Sequence, residues 1–136
     1  MKRFFLWLVL VGAVICVLGV LWQAFSIAAY VRSGSEDWVD AHGAGSLPVH
    51  IGQLAIVIGA IVAAWGNWRM VGGAVAFLVL SIAQLGFLGD TDEEGSWVNG
   101  FHGLLALVIL LAALWYGTWS SRALGLRQAP GASGSA

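Results

Sequence analysis

Four apolar stretches, at approximately 4–31, 47–65, 70–88 and 98–119, take up most of this chain and confine its charge to the gaps between them. Each reaches or approaches the ~20 residues that an α-helix needs to cross ~30 Å of hydrocarbon. None alternates polar and apolar residues, so a closed β-barrel is excluded. Only 10% of the 136 residues are charged, where a soluble domain carries about 25%. The pattern predicts an all-α integral membrane four-helix bundle over residues 1–127, with no room for a second domain. The tail 128–136, rich in Gly, Ser, Ala and Pro, is expected to be disordered.

Charge sets the expected orientation. Lys2, Arg3, Arg69, Arg122 and Arg127 flank the apolar segments on one side, and Arg32 is the one basic residue on the other. All seven acids (Glu36, Asp37, Asp40, Asp90, Asp92, Glu93 and Glu94) fall in the first and third connections. The bias of Lys and Arg toward the cytoplasm places both termini inside a plasma (inner) membrane and the acidic loops outside. Trp7, Trp65, Trp68, Trp115 and Trp119 then mark the inner interface, and Trp38 and Trp97 the outer one. Lys2-Arg3 gives the start of the chain the look of a secretory signal, but the apolar run that follows exceeds the ~7–15 residues of a signal core. It reads as the first helix. Cys16, the single cysteine, lies within it and reads as small apolar packing.

An internal repeat is visible across the segments. The first half runs Gln23, an acidic loop with Trp38, Pro48-Val49-His50-Ile51-Gly52, an apolar run, then Trp65-Gly66-Asn67-Trp68. The second runs Gln84, an acidic loop with Trp97, Gly100-Phe101-His102-Gly103, an apolar run, then Trp115-Tyr116-Gly117-Thr118-Trp119. Two repeated helical hairpins bring His50 and His102 to the same side and depth of the bilayer. Pro48 favours the first turn of a helix, and Asn99 is a plausible N-cap before His102. Each histidine taken alone reads first as an interfacial side chain bonded to loop carbonyls or headgroups. Two at one depth are what a six-coordinate haem iron requires.

Gln23, Gln53 and Gln84 fall in the outer halves of their segments. An amide in hydrocarbon needs a partner, so each serves either as glue between helices or as support for a ligated imidazole. Gly52 and Gly103 lie beside the histidines, where small residues permit close helix packing or leave a slot for a flat macrocycle. His42, in Asp40-Ala41-His42-Gly43, reads as a solvated loop residue, since no metal-site spacing surrounds it. The acidic run 90–94 lacks EF-hand spacing and reads as a solvated turn. No Ser/His/Asp set, phosphate loop or basic patch is present, so hydrolase, nucleotide and nucleic-acid functions have no support. No charge lies at mid-membrane depth, which argues against a transporter or channel.

Trp22-Gln23, the loop with Trp38, His50 opening the second apolar segment and His102-Gly103 opening the fourth resemble one four-helix half of haem A synthase. The chain is also similar to a group of short actinobacterial four-helix membrane proteins of unassigned function. The resemblance covers roughly residues 20–120 and implies one b-type haem ligated by His50 and His102 near the outer face. In that family a catalytic glutamate stands next to a ligand histidine. No acid adjoins either histidine here, so haem binding is what carries over. The expected function is that of a cytochrome-b-like protein for electron transfer or haem handling. Its expected partners are the lipid bilayer, a quinone or redox protein, and a larger membrane complex, but no nucleic acid. The competing expectation is a cofactor-free accessory or structural subunit of such a complex.

Overall fold

The computed structural model describes residues 1–87 and 96–126, and every regular element in them is helical. Helix α1 spans Lys2–Ser33, α2 Asp37–Ala44, α3 Ser46–Ala63, α4 Trp68–Ala83 and α5 Ser96–Ala123, with a 3₁₀ turn at Gln84–Phe87 after α4. The four long helices match the four apolar segments. The acidic run 90–94 and the tail 128–136 lie outside the described residues, as do the side chains of Trp97 and Asn99.

Two features differ from the sequence reading. The first outer connection is not an open loop but contains α2. The third segment, expected as one helix to residue 88, leaves α-geometry after Ala83 and tightens into the 3₁₀ turn. At 1.5 Å per residue, α4 is therefore about 24 Å long. Among the described residues, three spans are long and apolar enough to cross a membrane: Lys2–Ser33, Asp37–Ala63 and Gly100–Ala123.

Local chemistry explains the helix ends. Gly34 takes the left-handed conformation (φ 71°) and its N–H donates to the Tyr30 carbonyl at 2.7 Å, closing α1. Pro48 sits in the first turn of α3, where its missing N–H costs nothing. Asn67 caps α4 by accepting the Met70 N–H through its side chain at 3.4 Å.

Packing is uneven around the bundle. Helix α1 lies closest to α3 and next to α5, α3 meets α4, and α4 touches α5 only sparsely. Helices α3 and α5 therefore lie across the bundle from one another. The α1–α3 seam is built from glycines seven residues apart, Gly12 and Gly19 on α1 facing Gly45, Gly52 and Gly59 from α3 and its cap. A repeat of seven keeps one stripe turned to the partner helix. A Cβ on Gly59 would lie 2.5 Å from Val9 Cγ2 and 2.8 Å from the Phe5 carbonyl oxygen. Cys16 is fully buried in this seam and donates weakly to the Val49 carbonyl at 3.3 Å.

On the other side Tyr116 fills the space between α4 and α5. It stacks on Phe77 with ring centroids 6.2 Å apart and donates its hydroxyl to the Met70 carbonyl at 2.8 Å. Outward faces are apolar throughout, with Leu18, Leu107 and Leu111 all more than half exposed. A helix apolar all round is the mark of a membrane span or a buried core helix.

Candidate functional site: three imidazoles at one end of the bundle

The site forms where α1 ends, α2 crosses, α3 begins and α5 begins. Trp22 anchors α2 by donating its indole N–H to the Ala41 carbonyl at 3.0 Å. Phe25 bridges Trp22 and Trp38, with ring centroids 5.9 and 5.6 Å away. Gly45 closes the corner; a Cβ there would lie 2.8 Å from Trp22 Cδ1 and 3.0 Å from Gln23 Cγ. This packing turns His42 toward α1. Its Nδ1 lies 2.9 Å from the Gln23 carbonyl oxygen and 3.5 Å from Ser26 Oγ.

His50 is one turn into α3, and its Nδ1 lies 2.8 Å from the Ser46 carbonyl oxygen. Its Nε2 faces Ser81 Oγ of α4 at 3.5 Å. His102 on α5 has its Nδ1 3.5 Å from the Gln84 carbonyl oxygen. A carbonyl only accepts, so Nδ1 carries the proton where these bonds form, and Nε2 of the neutral ring keeps its lone pair. The two short bonds, at His42 and His50, state this most firmly. An imidazole with one N–H held by backbone and the other nitrogen bare is the arrangement of a metal-ligating histidine.

All three histidines line one cavity of about 70 Å³, together with Gln23, Ser46, Ser81 and Gln84. Among the described residues, no carboxylate, lysine or arginine lines it. The rings of His42 and His102 are neighbours, with centroids 6.1 Å apart and planes tilted by 56°. Gln84 is only 6% exposed, and its Oε1 has no hydrogen-bond partner among the described residues.

The residues singled out from the sequence separate into two groups. His50, His102, Gln23 and Gln84 meet in the cavity. Gln53, Gly52 and Gly103 do not line it. Gln53 is fully buried deeper in α3, with neither amide atom bonded. Gly52 serves the α1–α3 seam, where a Cβ would lie 2.6 Å from the Gly12 carbonyl oxygen. Gly103 is exposed and faces open space. His42, read as a solvated loop residue, is half-buried and belongs to the cavity. The signal that marks it is the i, i+4 spacing of Trp38 and His42, which puts both on one face of a helix.

Among the described residues, no group of three or more His, Cys, Asp or Glu side chains is gathered closely enough to hold a metal ion. The three histidines are neighbours around a cavity, not a closed three-ligand cage. No protein-family model, curated protein or solved structure matches the chain.

Proposed function

We propose that this chain is an integral protein of the plasma (inner) membrane that holds one b-type haem between two imidazoles at its outer end, for electron transfer or haem handling. The observation that carries the reading is the convergence of all three histidines on one cavity, with Nδ1 directed to a backbone carbonyl in each. Neutral imidazole nitrogens are suitable axial donors to haem iron. The orientation, with both termini cytoplasmic, rests on the Lys and Arg bias and puts the cavity on the extracytoplasmic side.

The donors fit haem, but the space fits it only after a rearrangement. Cofactor sites occupy about 300–1,000 Å³, several times the 70 Å³ here. The α4–α5 seam is where a macrocycle enters in this reading, because it is sparser than the other seams between neighbouring long helices. The repeat gives that asymmetry meaning. Two related hairpins, α1–α3 and α4–α5, share a sequence pattern, yet the first is sealed by glycines and the second is not. When bound, the haem supplies one-electron chemistry. The chain's own side chains orient the ligands and exclude water. One haem at one face cannot carry electrons across ~30 Å of bilayer alone, so a quinone or a redox protein completes the path.

The test is an absorption spectrum of the full chain, made with ample haem and purified in mild detergent, oxidised and then reduced. A low-spin six-coordinate spectrum is expected. A folded, helical but colourless protein overturns the haem reading. It would favour instead a cofactor-free accessory subunit, docking through the groove of about 290 Å³ between α1 and α5, where Val14, Leu18 and Leu114 are exposed around a floor of small residues that includes Ala13, Ala113 and Gly117.

A further inference from the structure

We propose that the groove between α1 and α5 holds one acyl chain of an anionic phospholipid, with the lipid phosphate at Arg3 and Arg122. This rests on the membrane part of the reading above and is independent of haem. The register of the two helices is fixed at the groove floor, where a Cβ on Gly117 would lie 3.3 Å from Ala13 Cβ. The helices run antiparallel, because His102 near the start of α5 shares a cavity with Gln23 in the second half of α1. On α1 the lining runs from Leu10 to Leu18, about 12 Å along the axis at 1.5 Å per residue. Leu18 stands at the middle of α1. The groove therefore reaches from mid-height of the bundle toward the basic end. Half of a ~30 Å hydrocarbon layer is ~15 Å, so its reach is that of a chain from one leaflet.

The chemistry changes along the groove as it does along a phospholipid. At mid-height the lining is apolar, with Val14, Val17, Leu18 and Leu114. Toward the basic end Thr118 and Ser121 enter it. Arg122 follows, exposed and one turn beyond Thr118 on the same edge of α5. On α1, Arg3 lies seven residues before Leu10 and Trp7 seven before Val14, so both continue the lining stripe, and both are exposed. Neither α1 nor α5 carries an Asp or Glu. The two guanidiniums thus have no carboxylate on the helices that form the groove. A lipid phosphate supplies the anion, in the planar two-point geometry that arginine favours, and Trp7 stands beside it at headgroup height.

The size of the groove separates a lipid chain from a protein helix. Spread over about 12 Å, about 290 Å³ is a mean cross-section of about 24 Å², against about 80 Å² for a helix about 10 Å across. A hydrocarbon chain enters the groove, and a helix would rest on its rim. A lipid seated here ties α1 to α5 at the end of the bundle remote from the imidazoles.

The experiment titrates the full chain in mild detergent with phosphatidylglycerol, and separately with phosphatidylcholine of the same acyl chains, and counts bound lipid by native mass spectrometry. One phosphatidylglycerol per chain is expected, held more tightly than phosphatidylcholine. Arg3→Gln and Arg122→Gln are each expected to weaken phosphatidylglycerol by about fivefold, and the double variant to remove the preference. Val14→Trp, at an exposed wall position, is expected to fill the groove and displace both lipids from a chain that stays helical. Val79→Trp, equally exposed on α4, is the control and is expected to bind as the wild type does. Equal binding of the two lipids by the wild type, or lipid that survives Val14→Trp, overturns the proposal. So does a dimer of the wild type that Val14→Trp alone dissociates, since a second copy would then be the occupant. A chain that stays soluble and helical without detergent or lipid overturns the membrane reading as well.

Discussion

Gly12 and Gly52 meet backbone to backbone: a Cβ on either would lie 2.5 or 2.6 Å from the carbonyl oxygen of the other. No rotamer change relieves a clash with a carbonyl, so α1 and α3 must separate if either residue grows. Gly52→Ala is expected to cost about 1–3 kcal/mol through overpacking. Thermal unfolding in detergent measures it. Gly103→Ala, which meets open space, is the control and is expected to unfold with the wild type. Equal melting temperatures for wild type and Gly52→Ala would refute the close seam.

Tyr116 joins α5 to α4 through its hydroxyl on the Met70 carbonyl. Tyr116→Phe leaves a buried carbonyl without that donor and keeps the stacking on Phe77. A loss of about 1–2 kcal/mol is expected, again read as a lower melting temperature. On the haem reading, the absorption spectrum is expected to be unchanged, because Tyr116 does not line the imidazole cavity.

Gln53 carries the opposite expectation. Both its amide atoms are buried and unbonded. Gln53→Met keeps the length of the side chain and removes the unmet polar groups, so a gain of about 1 kcal/mol is expected. A clear drop in melting temperature would mean that Gln53 has a polar partner in the folded protein, a bound water or a second chain.

Orientation is checked by labelling in intact cells. Cysteine at Ser35, in the connection between α1 and α2, is expected to react with a membrane-impermeant thiol reagent. Cysteine at Ser133 is expected to stay protected. Labelling of Ser133→Cys alone would reverse the topology and move the imidazole site to the cytoplasmic side.

Trp22 holds α2, and with it His42, through one indole hydrogen bond. Trp22→Phe keeps the aromatic packing and removes that bond. Amide hydrogen exchange across 37–44 is expected to speed up by about fivefold to tenfold, matching the loss of about 1 kcal/mol for one neutral hydrogen bond. Unchanged exchange would mean that α2 is held by packing alone.

The four long helices were legible in the sequence because hydropathy adds up along a segment and needs no knowledge of neighbours. The polar end of the bundle was legible for the same reason: His50, His102, Gln23 and Gln84 stand near the ends of apolar runs, and an amide or imidazole there turns inward. The roles of single residues were not legible, because they depend on what lies opposite. Gly52 read as either a packing residue or a cofactor slot beside His50, and the choice falls to packing because α1 presents Gly12 at that height. Gly103, its counterpart in the repeat, has no helix opposite and stays exposed. His42 looked solvated because its neighbours in sequence are acidic and small. Only the docking of Trp22 onto α2 turns its ring toward Gln23 and His102. Symmetry of sequence thus pairs His50 with His102, while tertiary packing sets the rings of His42 and His102 side by side, with centroids 6.1 Å apart, since a repeat constrains position along the chain and not which faces come to meet.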